Sequence, residues 1–213
     1  MLVKAFTFNP VGENTYLIWD EETKEAAIID AGMSNNRENA AISDLIIKKN
    51  LQLKYVLQTH MHFDHVWGLS YIKETYGLRP FCHAKDEVVY SQAPEMTGMF
   101  RLSMNWNLPA IERYLDDGDT LQLGNTVIKV MHTPGHTPGG LSFYIESEHT
   151  IFTGDTLFHG SIGRTDLPGG NMIEEIDSIK NKILKLPVET IIYSGHGPAS
   201  TVEWEINNNP FLI

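Results

Sequence analysis

Short runs of alternating or continuous apolar residues recur along the whole chain and predict β-strands. Most of these runs end in glycine, aspartate, histidine or proline, which are typical of turns and of functional sites at strand ends. The predicted strands are residues 2–8, 15–19, 26–30, 53–59, 79–84, 126–132, 141–146, 150–153 and 190–194.

Between the strands, residues 38–49, 64–76 and 172–186 carry apolar side chains at helical spacing. The last of these helices is the clearest, because Asn171 is a suitable N-cap and Glu174 follows it in the first turn. Its predicted apolar side is formed by Ile173, Ile176, Ile179, Ile183 and Leu186. Strands interleaved with amphipathic helices predict an α/β domain that is built in layers.

Residues 86–118 differ from the rest of the chain, since their apolar side chains follow no clean period. Methionine and aromatic side chains make adaptable apolar surfaces. Two interpretations remain open, a lid over a site and irregular core filling beneath a long connection, and the second is favoured. The side chains concerned are Met96, Met99, Phe100, Met104, Trp106 and Tyr114.

Length and composition fit a single domain over residues 1–213, because 42% of the residues are hydrophobic and only 20% are charged. The net charge of −11 argues against a broad nucleic-acid-binding surface, which needs dense basic groups. The single cysteine, Cys82, cannot form an internal disulfide. A lack of disulfides is typical of proteins in a reducing compartment. Without a signal-peptide pattern or a run of about 18 apolar residues, the sequence predicts a cytoplasmic protein with no membrane contact. The oligomeric state is left open.

The strongest chemical signal is the motif His60-x-His62-x-Asp64-His65, which follows a predicted strand and opens a predicted helix. Imidazoles and carboxylates are costly to bury unless something binds them, and both suit zinc and similar metals. In an extended strand, side chains at i and i+2 point to one side, roughly 6.5–7 Å apart. We therefore expect His60 and His62 to reach one ion, and Asp64 and His65 to serve a second ion beside it.

Three further donors stand at the ends of predicted strands. His136 lies in a turn rich in proline and glycine, Asp155 follows a strand directly, and His196 is framed by glycines. Singly, each is more often a turn residue than a ligand. With the first cluster they supply seven donors, which is the number that two ions need.

These seven residues, in this order, resemble the signature of the metallo-β-lactamase superfamily across most of the chain. The resemblance implies an αββα sandwich, with two mixed β-sheets face to face and helices outside. It also implies that His60, His62 and His136 hold the first ion and that Asp155 bridges both ions. The remaining ligands, which would hold the second ion, are Asp64, His65 and His196.

Within that superfamily, residues 154–158 and 160–166 resemble a short bacterial branch of the glyoxalase II type. Two departures leave the thiol carrier open. The sequence ends soon after His196, where full-length glyoxalase II enzymes continue into a helical domain that grips glutathione. Arg164-Thr165-Asp166 also stands where those enzymes have a lysine and a tyrosine. A true β-lactamase fits less well, because those enzymes usually carry cysteine or another residue in place of Asp155.

The resemblance implies hydrolysis of a small acyl thioester such as S-2-hydroxyacylglutathione. Two divalent ions, zinc with iron or manganese as alternatives, would hold a bridging hydroxide as the nucleophile. Asp64 is expected to ligate the second ion and to orient that hydroxide. Arg164 is a candidate for binding an anionic substrate group, with an ion pair to Asp166 an equal alternative. Candidate supports for the ligating imidazoles are Asp30, Thr59, Thr133 and Thr137.

The main alternative is an oxidoreductase like the persulfide dioxygenases, which the chain resembles at residues 163–166. Enzymes of that type use one iron, at the equivalents of His60, His136 and Asp155. A nuclease is disfavoured by the acidic charge, and a non-catalytic protein by the complete ligand set. The remaining histidines, His83, His132, His149 and His159, are interpreted as ordinary strand or loop residues, with His159 a weaker candidate for the pocket wall.

Overall fold

The computed structural model describes residues 1–99 and 106–212. Two six-stranded mixed sheets lie face to face, with helices on both outer sides. The αββα architecture expected from the sequence is therefore confirmed.

The first sheet is built from the amino-terminal half of the chain. Its strands are β1 (Leu2–Phe8), β2 (Glu13–Trp19), β3 (Glu25–Ile29), β4 (Gln52–Leu57), β5 (Pro80–Cys82) and β6 (Arg113–Tyr114). Their spatial order follows the sequence. Neighbours are antiparallel from β1 to β3 and parallel from β3 to β6.

The second sheet is built from the carboxyl-terminal half, in the order β14-β13-β10-β9-β8-β7, and β11 and β12 form a separate two-stranded ribbon. The strands are β7 (Thr120–Leu123), β8 (Thr126–His132), β9 (Leu141–Ile145), β10 (Thr150–Gly154), β11 (Leu157–Phe158), β12 (Ser161–Ile162), β13 (Ile191–Ser194) and β14 (Ser200–Thr201). Only β10 and β13 pair in parallel, so their carboxyl ends lie side by side.

The helices are α1 (Asn36–Lys49), α2 (Phe63–Val66), α3 (Leu69–Tyr76), α4 (Glu87–Met99), α5 (Met172–Asn181) and α6 (Val202–Asn208). The predicted N-cap of α5 is confirmed, because the Asn171 side chain accepts hydrogen bonds from the amides of Ile173 and Glu174. Asn35 caps α1 in the same way. Each cap satisfies two amides that have no partner within the helix.

Strand alternation explains the layering, and β2 shows it most clearly. Tyr16 and Ile18 point into the core between the two sheets, whereas Leu17 and Trp19 point to the core beneath α1, α3 and α4. Successive side chains of a strand face opposite sides, so one buried strand serves two cores. A third core lies between the second sheet and α5 and α6.

The helical predictions need two corrections. The helix predicted over 64–76 is divided after Val66, where the amide of Gly68 donates to the carbonyl of Ala31 at 2.6 Å. A Cβ atom at Gly68 would lie 3.1 Å from the Ala31 carbonyl oxygen and 3.2 Å from the Met33 Cβ atom, so this close approach favours glycine. In α5, Ile173 is 82% exposed rather than buried, and α5 ends at Asn181 before a 3-10 turn.

Residues 87–99 form α4, where the sequence analysis expected irregular structure. The buried side of α4 includes Ala93 and Thr97 beside Val89 and Tyr90, so its apolar stripe is interrupted. Trp106 packs against the core, as the core-filling interpretation expects. Phe100, Met104 and the side chain of Met99 lie outside the described residues.

Several short elements had no detectable sequence pattern. The strands β6, β11, β12 and β14 have two residues each, which is too few for a period. Across 1–99 and 106–212, no helix combines the length and the apolar character that crossing a bilayer requires.

Candidate metal centre

The seven side chains predicted as metal ligands meet where strands of both sheets end. The first sheet supplies the loop after β4, and the second sheet supplies the loops after β8, β10 and β13. The parallel pair β10 and β13 places Asp155 and His196 side by side. Strand ends are where a sheet holds functional loops most rigidly.

The loop after β4 is not the extended strand that the sequence analysis assumed for His60 and His62. β4 ends at Leu57, so His60 and His62 lie in a loop rather than in a strand. Extended dihedrals at His62, φ −65° and ψ 152°, still place both imidazoles on one side. Asp64 and His65 follow on the short helix α2, as predicted.

His60, His62 and His136 form a first group of donors. The His62 Nδ1 atom lies 2.9 Å from His136 Nε2, and the His60 ring centre lies 4.8 Å and 4.9 Å from those of His62 and His136. The three rings are nearly perpendicular to one another, with interplanar angles of 81–89°. Their in-plane lone pairs can therefore converge on one point.

Asp64, His65 and His196 form a second group beside the first. Asp64 Oδ2 lies 3.2 Å from His196 Nε2 and 3.7 Å from His65 Nε2. Asp155 stands between the groups, with Oδ1 3.4 Å from His65 Nε2 and Oδ2 3.6 Å from both His136 Nε2 and His196 Nε2. One carboxylate thus touches both sets of donors.

Three buried atoms at the heart of this cluster have no hydrogen-bond partner among the described residues. They are His60 Nε2, His65 Nε2 and Asp155 Oδ1. A buried polar atom without a partner costs about 1–3 kcal/mol. Nitrogen and oxygen donors left unpaired around one point are what a divalent cation would satisfy, so the residues fit a metal pair.

The pKa shifts within the cluster also fit a metal centre. Burial lowers the pKa of His62 to about 3 and also lowers that of His60, so both imidazoles are neutral at neutral pH. Burial acts against a charged His65 as well, but Asp155, Asp30 and Asp64 outweigh it and raise the pKa of His65. The site therefore combines neutral imidazoles with carboxylates that attract positive charge.

Hydrogen bonds behind the donors fix their orientation. Asp30 Oδ2 lies 2.9 Å from His65 Nδ1 and accepts the Thr59 hydroxyl at 2.7 Å. His136 Nδ1 donates to the carbonyl of Arg164, and His196 Nδ1 to that of Gly12. Asp30 and Thr59 thus stand where supporting residues were predicted, whereas the hydroxyls of Thr133 and Thr137 hydrogen-bond Ser142 and Asp86 instead of a predicted ligand. Such contacts set the tautomer of a ligating imidazole.

A cleft of about 170 Å³ opens onto the cluster. His62, His136, Asp64, Asp155 and His196 form its floor, and its walls carry apolar side chains of several elements. These apolar side chains are Val11, Phe63, Met96 and Leu167. Met96 belongs to α4, so the segment interpreted as either a lid or core filling does contribute to the cleft wall.

Arg164 is the only arginine or lysine among the described residues that line the cleft. Its guanidinium makes two hydrogen bonds of 2.7 Å to Asp166, and its side chain is 58% exposed. The ion pair that the sequence analysis kept as an alternative is therefore present. An anionic substrate group would have to compete with Asp166 for this guanidinium.

A second histidine cluster lies outside the cleft. The rings of His83 and His132 stack with centres 4.2 Å apart and an interplanar angle of only 6°, and Asp116 Oδ1 lies 3.6 Å from His83 Nε2. Lone pairs lie in the ring planes, so two parallel rings cannot both aim at one ion about 2 Å from each nitrogen. His159 packs on Trp204 and is not part of the cleft wall, while His149 is exposed.

Three buried carboxylates near the predicted ligands, Glu13, Asp86 and Glu175, were not predicted from the sequence. Glu175 on α5 accepts the amide hydrogen of His136 at 2.8 Å, and burial raises its pKa to about 8. Asp86 lies among charged residues that read as a solvated turn, yet it is fully buried. The position of Glu175 one helical turn before the apolar Ile179 is its one sequence signal.

Comparisons with known proteins identify the family of the chain. A sequence model of the metallo-beta-lactamase superfamily matches residues 8–196. A Haemophilus influenzae protein named hydroxyacylglutathione hydrolase GloC is 39% identical over 207 residues, 94% of this chain and 92% of that protein.

Two solved structures are also similar over nearly the whole chain. The structure titled BLEG-1 B3 metallo-beta-lactamase has a TM-score of 0.87 and 36% identity, and the match covers 99% of both chains. The structure titled TTHA1623 in a di-iron-bound form has a TM-score of 0.87 and 34% identity, over 99% of this chain and 100% of that one.

Proposed function

Because this chain belongs to the metallo-beta-lactamase superfamily, we propose that it is a binuclear metal hydrolase that cleaves small acyl thioesters. The observation that carries the proposal is the set of three buried, unpaired donor atoms at the meeting point of seven side chains. The resemblance to a relative named hydroxyacylglutathione hydrolase supports the thioester as the bond that is cleaved.

In this proposal, His60, His62 and His136 hold a first ion and Asp155 contacts both ions. The second ion is held by Asp64, His65 and His196. The donor atoms within each trio lie within 4.8 Å of one another, and Asp155 forms a third such group with His60 and His65 that joins the two trios. Zinc suits these nitrogen and oxygen donors, and the di-iron form of a similar structure makes iron the alternative.

Two divalent ions bound there would lower the pKa of a water towards about 7 and polarise the acyl carbonyl. The protein residues supply orientation. Asp64 and Asp155 face the cleft beside His196, so their carboxylates can accept a hydrogen bond from the attacking water. The water oxygen bonds to the acyl carbon and gives up a proton, the carbon–sulfur bond breaks, and the sulfur leaves as a thiolate that takes up that proton.

The shape of the cleft favours a compact acyl group. Its walls carry apolar side chains, and a small acyl chain gains from burial against them. Arg164 stays our candidate for an anionic group of the substrate, because it lies in the same cleft. The buried Cys82 fits a reducing cytoplasm as the place of action.

A mononuclear-iron oxidoreductase of the persulfide dioxygenase type is the second candidate. His60, His136 and Asp155, the ligand set implied for that type, also meet in the centre. The complete second trio of Asp64, His65 and His196 favours two ions and therefore hydrolysis.

A substrate screen on the purified, metal-analysed protein tests the proposal. The substrates are S-lactoylglutathione, simple lactones, a chromogenic β-lactam and glutathione persulfide with an oxygen electrode. We expect two metal ions per chain and turnover of the thioester without oxygen uptake. One iron with oxygen uptake on the persulfide would establish the alternative, and turnover of the β-lactam alone would replace the thioester as substrate.

Asp64→Asn tests the role of this carboxylate against Asp44→Asn, an exposed substitution on α1 far from the cleft. We expect the first variant to lose roughly a hundredfold or more in kcat, as for loss of a group that acts on developing charge. The second variant should behave as the wild type. Full metal content and full turnover in Asp64→Asn would disprove the role.

A further inference from the structure

A buried carboxylate outside the ligand set connects two of the ligand loops. Asp86 ends a 3-10 turn, Ala84–Asp86, that leads into α4, and its side chain is completely shielded from solvent. It touches neither a predicted ligand side chain nor the cleft. A buried acid far from a cation needs hydrogen bonds to repay its lost hydration.

The hydrogen bonds of Asp86 come from the two loops that carry His60, His62 and His136. Oδ2 accepts the amide hydrogen of Met61, which stands between His60 and His62, at 3.1 Å. The same oxygen accepts the hydroxyl hydrogen of Thr137 at 3.0 Å, and Oδ1 accepts the amide hydrogen of Gly139 at 2.6 Å. One carboxylate therefore ties the loop of the first two histidines to the loop of His136.

The close approach of Asp86 to the loop of His136 explains why position 139 is a glycine. A Cβ atom at Gly139 would lie 2.6 Å from Asp86 Oδ1 and 2.8 Å from the Asp86 amide nitrogen. Any side chain there would push the two segments apart. Gly139 is thus required by Asp86 rather than by the turn around His136.

The geometry points to Asp86 as the positioning residue of the first metal ion. By holding Met61 and Thr137 on one carboxylate, it sets the distance between the His60-x-His62 loop and His136. The second trio does not depend on it, since none of the described contacts of Asp86 reaches Asp64, His65 or His196. This inference rests on the proposed metal centre and assigns the influence of Asp86 to the first ion rather than the second.

Asp86→Asn tests the inference, because it keeps the side-chain size and replaces one acceptor oxygen by an NH₂ group facing donors. The readout is the occupancy of each metal position, from anomalous scattering of crystals of the apoprotein soaked at limiting zinc, together with stepwise zinc affinities in solution. We expect the first ion to bind about 10–100-fold more weakly, the usual range for partners behind metal ligands. The second ion should change less than about threefold.

Asp20→Asn is the matched control. Asp20 is a buried carboxylate that accepts three amide hydrogen bonds, from Glu22, Thr23 and Asn125, at the end of β2 remote from the centre. This variant should lose stability without a selective loss of either ion. Thr137→Val removes a single hydrogen bond to Asp86, and it serves if Asp86→Asn does not fold, with a smaller loss at the same position.

The outcomes separate this inference from the proposed function. If the wild type binds both ions and the variants at 86 and 137 weaken both equally, or neither, Asp86 has no positioning role and the centre stands. If the wild type binds no ion between His60, His62 and His136, the proposed centre fails and the role of Asp86 fails with it.

Discussion

The protein holds two histidine clusters, one in the cleft and one outside it, and the orientation of their rings separates them. In the cleft, the rings of His60, His62 and His136 stand nearly perpendicular and leave buried atoms unpaired. Outside it, His83 and His132 lie parallel at 6°, beside the exposed carboxylate of Asp116. Both clusters offer nitrogen and oxygen atoms within 4.8 Å of one another.

The hydrogen bonds of the parallel pair give it a structural task. The Lys85 amide donates to His83 Nδ1 at 3.2 Å, so the proton of a neutral His83 is on Nε2 and no lone pair faces Asp116. His132 Nε2 donates to the carbonyl of Pro138 at 3.0 Å. The stack thus connects the turn that carries Asp86 to the loop that follows His136. Proximity of donors alone does not make a metal site, because the lone pairs must also converge.

The largest expected difference between the clusters is in activity. His60→Ala removes a proposed ligand, so we expect loss of bound metal and a fall in kcat/KM on the order of a thousandfold or more. His83→Ala should keep both ions and most of the activity. Metal analysis and steady-state kinetics of the two variants make the measurement, and equal metal loss in both would abolish the distinction.

Metal removal should affect stability through the cleft cluster alone. An ion that binds only the folded state adds about 4 kcal/mol when free metal is 1,000 times its Kd. For a chain of this size we expect a chelator to lower the Tm by about 8–16 °C per such ion. Differential scanning fluorimetry should give the same shift for the wild type and for a variant lacking the His83 ring. A smaller shift in that variant would assign metal to the stacked pair.

The pH dependence should report on Asp86, which stands between the clusters. Burial raises the pKa of Asp86 to about 6, so its folded-state pKa lies above the unfolded value. Its stabilising contribution is full below about pH 4 and is lost as pH rises through about 6, an effect of about 3 kcal/mol.

Denaturant unfolding of the metal-free protein between pH 4 and pH 7 measures this contribution. The free energy of unfolding of the wild type should fall relative to Asp86→Asn across that range. Relative to Asp20→Asn it should stay level, since backbone hydrogen bonds lower the pKa of Asp20 to about 2, below the range. A level difference with Asp86→Asn would show that Asp86 does not titrate there.

The smallest effect is expected from His83→Phe, which keeps the aromatic stack and removes the acceptor for the Lys85 amide. Loss of a capping hydrogen bond costs about 1 kcal/mol. Urea unfolding measures it, with the metal content expected to be unchanged. A loss above about 3 kcal/mol would mean that the imidazole has a partner beyond that amide.

Much of the fold followed from local patterns. The long alternating strand β8 was predicted to within a residue, because half-buried strands repeat every two positions. Elements without such a repeat were not predicted correctly. α4 buries Ala93 and Thr97 among its apolar residues, and α2 and α3 are divided at Gly68 by contact with a distant loop.

The seven predicted ligands could be named from the sequence, because their order and their places at the ends of predicted strands are local features of the chain. Their arrangement was decided by the tertiary structure. The His83–His132 stack, the buried Asp86 and Glu175, and the pairing of Arg164 with Asp166 all join residues distant in the chain or depend on rotamers. Local sequence sets which groups a turn carries, but packing of the two sheets sets the directions in which their lone pairs point.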